Sequence, residues 1–181
     1  MKELSLNILD IAENSVKAGA SLTEIRVEET EETVVITITD DGCGMTEEIL
    51  RTVTDPFYTT RTTRKVGMGL PLLKLEAEQT GGTVTVKSKP ECDYPEDHGT
   101  EVHAVFNRNH IDFTPLGDVI STVVTLIQGH PDTDFLFEHI ISGGRMVRLD
   151  TRELRAVLED VPLCSYEVIN WIREYLSEQY S

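Results

Sequence analysis

The sequence predicts an α+β fold on three observations. Apolar residues recur at helical spacing in the opening segment, β-branched runs alternate over the next hundred residues, and Gly or Pro marks most changes of period. A chain of 181 residues is one domain of ordinary size, or one domain with a small appendage. It can hide roughly 70% of its unfolded surface, so it needs no disulfide or metal staple.

Leu4, Ile8, Ile11, Ala12 and Val16 share one face of a helix over residues 4–18, closed by Gly19. Residues 24–29 alternate as a short strand, and 33–39 form a β-branched one. Thr46 opens a short helix at 48–53, followed by a loop over 54–68 rich in Thr and basic residues. Residues 71–79 read as a helix with Pro71 at its first position, stopped by Gly81 and Gly82. Strands follow at 83–88 and 100–106, joined by an acidic loop. Past Asn107 the character changes. Leu116, Val119, Ile120, Val123 and Ile127 mark a helix, 135–141 and 145–149 a hairpin around Gly143 and Gly144, and Asp150 and Ser165 cap two final helices. The chain thus divides into residues 1–107, a nucleotide-site domain, and 108–181, an extension suited to partner docking or dimerisation.

Thirty-two acids against sixteen bases leave a formal charge of −16. A field of that sign repels DNA, RNA and anionic lipid, so neither a nucleic acid nor a membrane is expected as partner. No apolar run approaches the ~20 residues of a membrane span. The same field opposes an anionic metabolite unless a local patch or a cation reverses it. Such a patch exists: residues 51–75 hold Arg51, Arg61, Arg64, Lys65 and Lys74 against one acid, Asp55. Cys43, Cys92 and Cys164 are odd in number and widely spaced, and no signal-peptide core opens the chain. A reducing, cytoplasmic setting is expected.

Four features carry chemistry. Asn7, Asp10, Asn14 and Lys17 line one face of the first helix, which for a surface helix is ordinarily a solvated face. Asn is a poor helix former, however, and a carboxamide beside a carboxylate one turn away suits Mg²⁺ held with phosphates. Asp40-Asp41-Gly42-Cys43-Gly44-Met45 follows a strand directly, so a fixed carboxylate could accept from an exocyclic amine while glycines let backbone approach a flat ring. The hydroxyl-rich basic stretch 55–65 suits a polyphosphate. Gly67-Met68-Gly69-Leu70 runs into a helix N-terminus, which aims free N–H groups at an anion.

In this order the four features resemble the GHKL superfamily of ATP-binding domains, over roughly residues 1–107. Asn14 matches the N box, Asp40, Gly42 and Gly44 the G1 box, residues 55–61 the F box of histidine kinases, and residues 67–70 the G2 box. Ser88, Gly99 and Thr100 fall where kinase-type members carry theirs. The resemblance implies a Bergerat-type α/β sandwich, a mixed sheet with helices on one face, here with a small α/β C-terminal extension. It implies ATP and Mg²⁺ as cofactors, with Asn14 the metal ligand and Asp40 recognising the adenine amine. Gly42 and Gly44 would shape the base pocket. Arg61, Gly67, Gly69 and Leu70 would line the triphosphate, and Met45, Phe57, Thr59, Thr60, Met68 and Thr100 would complete the nucleotide-binding set. Asp10 stands where gyrase and MutL carry a catalytic Glu, which makes it the candidate general base, one methylene shorter.

The expected function is an ATPase or protein kinase module acting in trans on an unidentified protein partner or substrate, in a regulatory or signalling role. The alternative is an ATP-dependent conformational switch without turnover. A homodimer is compatible with the resemblance, since many relatives pair. No histidine-bearing hairpin precedes the first helix, so self-phosphorylation of the histidine-kinase kind is not expected. The five histidines show no metal spacing; His110 and His130 are the reachable ones. Cys43 reads as a small buried filler, and Trp171, Tyr175 and Leu176 as core or docking face.

Overall fold

The computed structural model describes residues 3–54 and 69–181. Its elements in chain order are α1 (Leu4–Lys17), β1 (Leu22–Glu29), β2 (Thr33–Asp40), α2 (Glu47–Val53), α3 (Gly69–Gln79), β3 (Thr83–Lys89) and β4 (Gly99–Asn107). They continue with α4 (Val119–Gly129), β5 (Asp134–Ile140), β6 (Met146–Asp150), α5 (Thr151–Leu158) and α6 (Tyr166–Tyr180). The strands make one mixed sheet in the order β3-β4-β2-β1-β5-β6. Among the described residues only the β1–β5 pair is parallel.

The period-2 pattern explains why one face carries the helices. On β2, Val34, Ile36 and Ile38 are buried while the residues between them stay half-open. Register continues that apolar stripe: Ile38 stands between Ile25 and Val102, and Ile36 between Val27 and Ala104. Phe135 and Phe137 of β5 and Val147 and Leu149 of β6 extend it to the other edge. Against this face pack α3, α1, α4 and α6 in one layer, with Leu4, Ile8, Ile11 and Ala12 of α1 at its centre.

Beyond residue 107 the chain re-enters the same sheet, β5 lying beside β1 and α4 beside α1. This later segment also completes α1. Glu3 supplies no side-chain cap, and the first free N–H groups of the helix, on Leu4 and Ser5, donate to the Pro115 and Leu116 carbonyls at 2.9 and 2.8 Å. Thr122 Oγ1 donates to the Ser5 carbonyl at 3.0 Å, and His130 Nε2 meets both Glu13 carboxylate oxygens at 3.0 and 2.9 Å.

Several boundaries differ from the sequence reading. Gly69 and Leu70 are already helical, so Pro71 is not the first residue of α3; it still falls in the first turn, where a missing N–H costs no intrahelical bond. Leu116 lies outside α4, because Gly117 at φ +79° breaks the chain direction and Asp118 caps the helix by accepting from Ser121 N. Asp150 caps α5 through Arg152 N, whereas the Ser165 hydroxyl turns inward and makes no cap bond.

Candidate functional site

The end of β2 and the middle of α1 meet at one carboxylate. Asp40 Oδ1 accepts from Gly42 N at 2.9 Å and Oδ2 accepts from Ser15 Oγ at 2.7 Å. Ser15 is buried on α1 and has one proton to give; the Ile11 carbonyl at 3.4 Å is the poorer acceptor. Both oxygens of Asp40 are thereby oriented, each with acceptor capacity left over.

The turn after Asp40 is latched from three sides. Cys43 N donates to the Ala18 carbonyl, Glu91 N donates to the Cys43 carbonyl at 2.8 Å, and Met45 N donates to Ser88 Oγ at 2.7 Å. His98 Nδ1 faces the Gly42 carbonyl at 2.5 Å, so that nitrogen carries the proton. Ser88 in turn pairs with Thr100 Oγ1 at 2.7 Å. Two glycines are needed for this closeness. A Cβ on Gly42 would stand 2.9 Å from the Ala18 Cβ, and Gly44, at φ +68°, would drive a Cβ to 2.0 Å from the Lys89 carbonyl oxygen. Asp41 turns away from the site to accept from Ser21 N, the Ser21 hydroxyl and Leu22 N. Burial alone would raise its pKa; the hydrogen bonds outweigh burial and hold the carboxyl below its ordinary value.

Between α1, α2 and the β2–β4 surface lies a cavity of about 340 Å³. Its floor is apolar, formed by Ile11, Ile38, Val102 and Leu70, with Met45, Ile49 and Val53 opposite. Asn14, Asp40 and Thr100 supply polar groups, and Cys43 lies on the lining as an exposed side chain rather than a buried filler. An apolar slot with few fixed polar groups is the usual build of a small-molecule site.

The polar face of α1 is solvated only in part: Asp10 and Lys17 are exposed, Asn7 and Asn14 are not. Asn7 is buried and its Nδ2 donates to Glu76 Oε2 of α3 at 2.8 Å, while Asn14 is half-buried at the cavity. Among the described residues the Asn14 carboxamide makes no hydrogen bond. Asp10 is exposed beside the start of α3, where a Cβ on Gly69 would stand 3.5 Å from the Asp10 Cβ and 3.7 Å from Asn14 Nδ2. Partial burial raises the Asp10 pKa above its ordinary value; Lys17 opposes this and Glu13 adds to it. An uncommitted carboxamide near a carboxylate, beside a helix start, fits a hard cation shared with phosphate oxygens.

The cavity therefore gathers Asn14, Asp40, Gly44, Met45, Leu70 and Thr100. Gly42 stands behind its wall, and Asp10 and Gly69 stand beside it. Phe57, Thr59, Thr60, Arg61, Gly67 and Met68 lie outside the described residues. Of the basic patch over 51–75, Arg51 pairs with Glu47 and Lys74 with Glu78 on their own helices. Sequence reasoning missed Ser15, His98, Ile38 and Val102. Ser15 adjoins Asn14, and inward alternation on β2 and β4 signals the two aliphatic residues; His98 has no local signal.

Residues 2–110 match the family of histidine kinase-, DNA gyrase B-, and HSP90-like ATPases. The sensor protein KdpD of Clostridium acetobutylicum is 33% identical over 94 residues, covering 49% of this chain and 10% of its own length. Sporulation kinase A of Bacillus subtilis is 31% identical over 91 residues, covering 50% and 15%. The chain thus spans a small part of these curated relatives. Among solved structures, the N-terminal domain of a DNA repair protein superposes with a TM-score of 0.61 at 15% identity, covering 83% of this chain and 53% of that one. The Aquifex aeolicus MutL ATPase domain complexed with ADP gives 0.55 at 14% identity, covering 88% and 70%. The matched span exceeds half of the sequence and contains the whole cavity, so this chain belongs to the histidine kinase-, DNA gyrase B-, and HSP90-like ATPase family.

Proposed function

We propose that this chain binds Mg-ATP in the cavity and acts in trans on a partner protein, as a protein kinase or slow ATPase with a regulatory role. The observation that carries the reading is Asp40, oriented on both oxygens at the edge of an apolar slot that also holds the uncommitted Asn14. Asp40 accepts from the adenine amine, and a guanine, with an acceptor at the same position, is rejected. The ring lies against Ile38 and Val102, while Gly42, Gly44 and Met45 bring backbone to its edge and Thr100 fixes the wall through Ser88. Gly69 and Leu70, with Phe57, Thr59, Thr60, Arg61, Gly67 and Met68 of the preceding segment, receive the phosphates. Asn14 would hold Mg²⁺, which when bound would supply positive charge to offset the phosphates. Asp10 takes a proton from an attacking water, a role its raised pKa supports.

The acceptor is read as lying on another protein because, among the described residues, no histidine lines the cavity. His98, His103, His130 and His139 are each engaged in hydrogen bonds. Three free, exposed cysteines suit a reducing, cytoplasmic setting. One observation favours the switch as a second reading: residues 115–130 cap and clasp α1, and the His130–Glu13 contact lies one residue from Asn14.

The test is incubation of the full chain with γ-labelled ATP, Mg²⁺ and co-purifying proteins. Label on protein or free labelled phosphate, either one abolished by Asn14→Ala, supports turnover. Bound nucleotide with no label released supports the switch. Failure to bind ATP at all overturns the reading.

A further inference from the structure

The last helix carries a surface that the nucleotide site does not use. Val168, Ile169, Ile172 and Leu176 are the buried side of α6. Flanking that side, Trp171 and Tyr175 are 47% and 37% exposed, stacked with ring centroids 4.8 Å apart and planes 11° from parallel. One turn of spacing accounts for the stack, and the same spacing adds three acids. Glu167, Glu174 and Glu178 stand four before, three after and seven after Trp171, on the same helix face. All three are exposed, and none is in an ion pair among the described residues. The one base of this helix, Arg173, points the other way, to Ser121 of α4 at 3.4 Å.

We infer that this face of α6 is a docking surface for a basic segment of a partner protein, whose Arg or Lys side chains lie over the Trp171–Tyr175 stack and pair with Glu167, Glu174 and Glu178. An aromatic pair left in water invites burial, and Trp and Tyr are the residues that most often anchor an interface. A guanidinium satisfies both parts of the surface, because it stacks on the indole face and donates to the carboxylates around it. The charge selects against the other occupants. A second copy would bring the same three acids and a net −16, and nucleic acid or an anionic vesicle would meet the same repulsion. No residue of α6 lines the cavity, so docking and nucleotide binding are separable by mutation.

Trp171 is the only tryptophan in the chain, which makes its emission a reporter of this surface alone. The full chain is titrated with a synthetic amphipathic Arg/Leu peptide, with its Glu/Leu counterpart, and with phosphatidylserine vesicles. Saturable change in emission with the Arg peptide only is expected, weakening with salt. Calorimetry with the same peptide then compares three folded variants. Glu167→Gln/Glu174→Gln/Glu178→Gln and Trp171→Ala/Tyr175→Ala each weaken binding by about tenfold or more. Glu31→Gln/Glu32→Gln/Asp112→Asn, an equal change of charge elsewhere, leaves it unchanged. Equal loss in both charge variants would show generic attraction to an acidic protein and overturn the proposal. So would vesicle binding in place of peptide binding, or a dimer that Trp171→Ala dissolves. ATP affinity measured on the same variants stays as in the parent chain, so failure of the docking surface and of the nucleotide site are told apart.

Discussion

The two ends of the sheet spend their polar groups differently. At the β5–β6 end, carboxylates are consumed by the fold. Asp134 takes Thr151 Oγ1 and Arg155 Nε at 2.8 and 2.7 Å, and Asp150 takes Arg152 N, its guanidinium and that of Arg148. His139, 3% exposed, is held between Tyr180 OH at 2.7 Å and Glu29 Oε1 at 2.6 Å. Even the outer edge is closed, the Gln179 amide bonding both Arg148 N and its carbonyl. At the β2–β4 end the groups are oriented but not exhausted: Asp40 retains acceptor capacity and Asn14 has no partner among the described residues. Polar groups with nothing left to give hold a structure, whereas oriented groups with capacity left can hold a ligand.

Asp40→Asn breaks this contrast most severely. Asn keeps the shape and can still accept from Gly42 N, but its amide then presents N–H toward an adenine amine. Under the proposed reading, calorimetry shows nucleotide affinity falling about thirty- to a hundredfold, since a buried donor facing a donor costs roughly 2–3 kcal/mol. Circular dichroism remains that of the parent. Unchanged affinity would remove Asp40 from base recognition.

Local order made one end readable in the sequence. Asp40, Gly42 and Gly44 are spaced by a single turn, and Asp10 and Asn14 by one turn of helix, so their chemistry survives without tertiary knowledge. The contacts that orient them do not. Ser15 reaches Asp40 across 25 residues, and Ser88 and His98 arrive from the β3–β4 hairpin; each depends on which elements become neighbours. The parallel pairing of β5 with β1 is of the same kind, because strand composition says which residues face inward and not which strand lies alongside. Asn7 looked like a solvated position for the same reason: its burial comes from α3, 69 residues away.

The closed end predicts loss of stability without loss of ligand. His139→Ala strips partners from Tyr180 OH and Glu29, and urea unfolding should show a cost of about 2 kcal/mol with nucleotide affinity unchanged. Its pH dependence has a defined sign. Burial pulls the His139 pKa below the ordinary 6.5 and outweighs the Glu29 carboxylate that would raise it. The unfolded chain therefore takes up the proton first as pH falls through 6.5, and stability declines from there toward the lower folded value. His139→Gln lacks that decline. A parent chain with the same slope as His139→Gln between pH 7 and 5 would show that this histidine is not the titrating group.

Asp10→Asn has the smallest effect on folding and is the finest test of where the two kinds of polar group divide. Because burial raises the folded pKa of Asp10 above 3.8, its charged form at neutral pH works against folding. Removing the charge should raise the Tm slightly, on the order of 1 °C for an exposed group in a chain of this size. The gain should shrink as pH falls toward 3.8, where the parent carboxyl takes up its own proton. A purely structural carboxylate, like Asp150 with its depressed pKa, shows the opposite sign when neutralised. If Asp10 is also the base, phosphate release falls as the protein becomes more stable, the trade expected where a site residue is kept at some cost to the fold. Greater stability with unaltered hydrolysis would leave Asp10 strained but idle, and a loss of stability would move it to the closed end of the comparison.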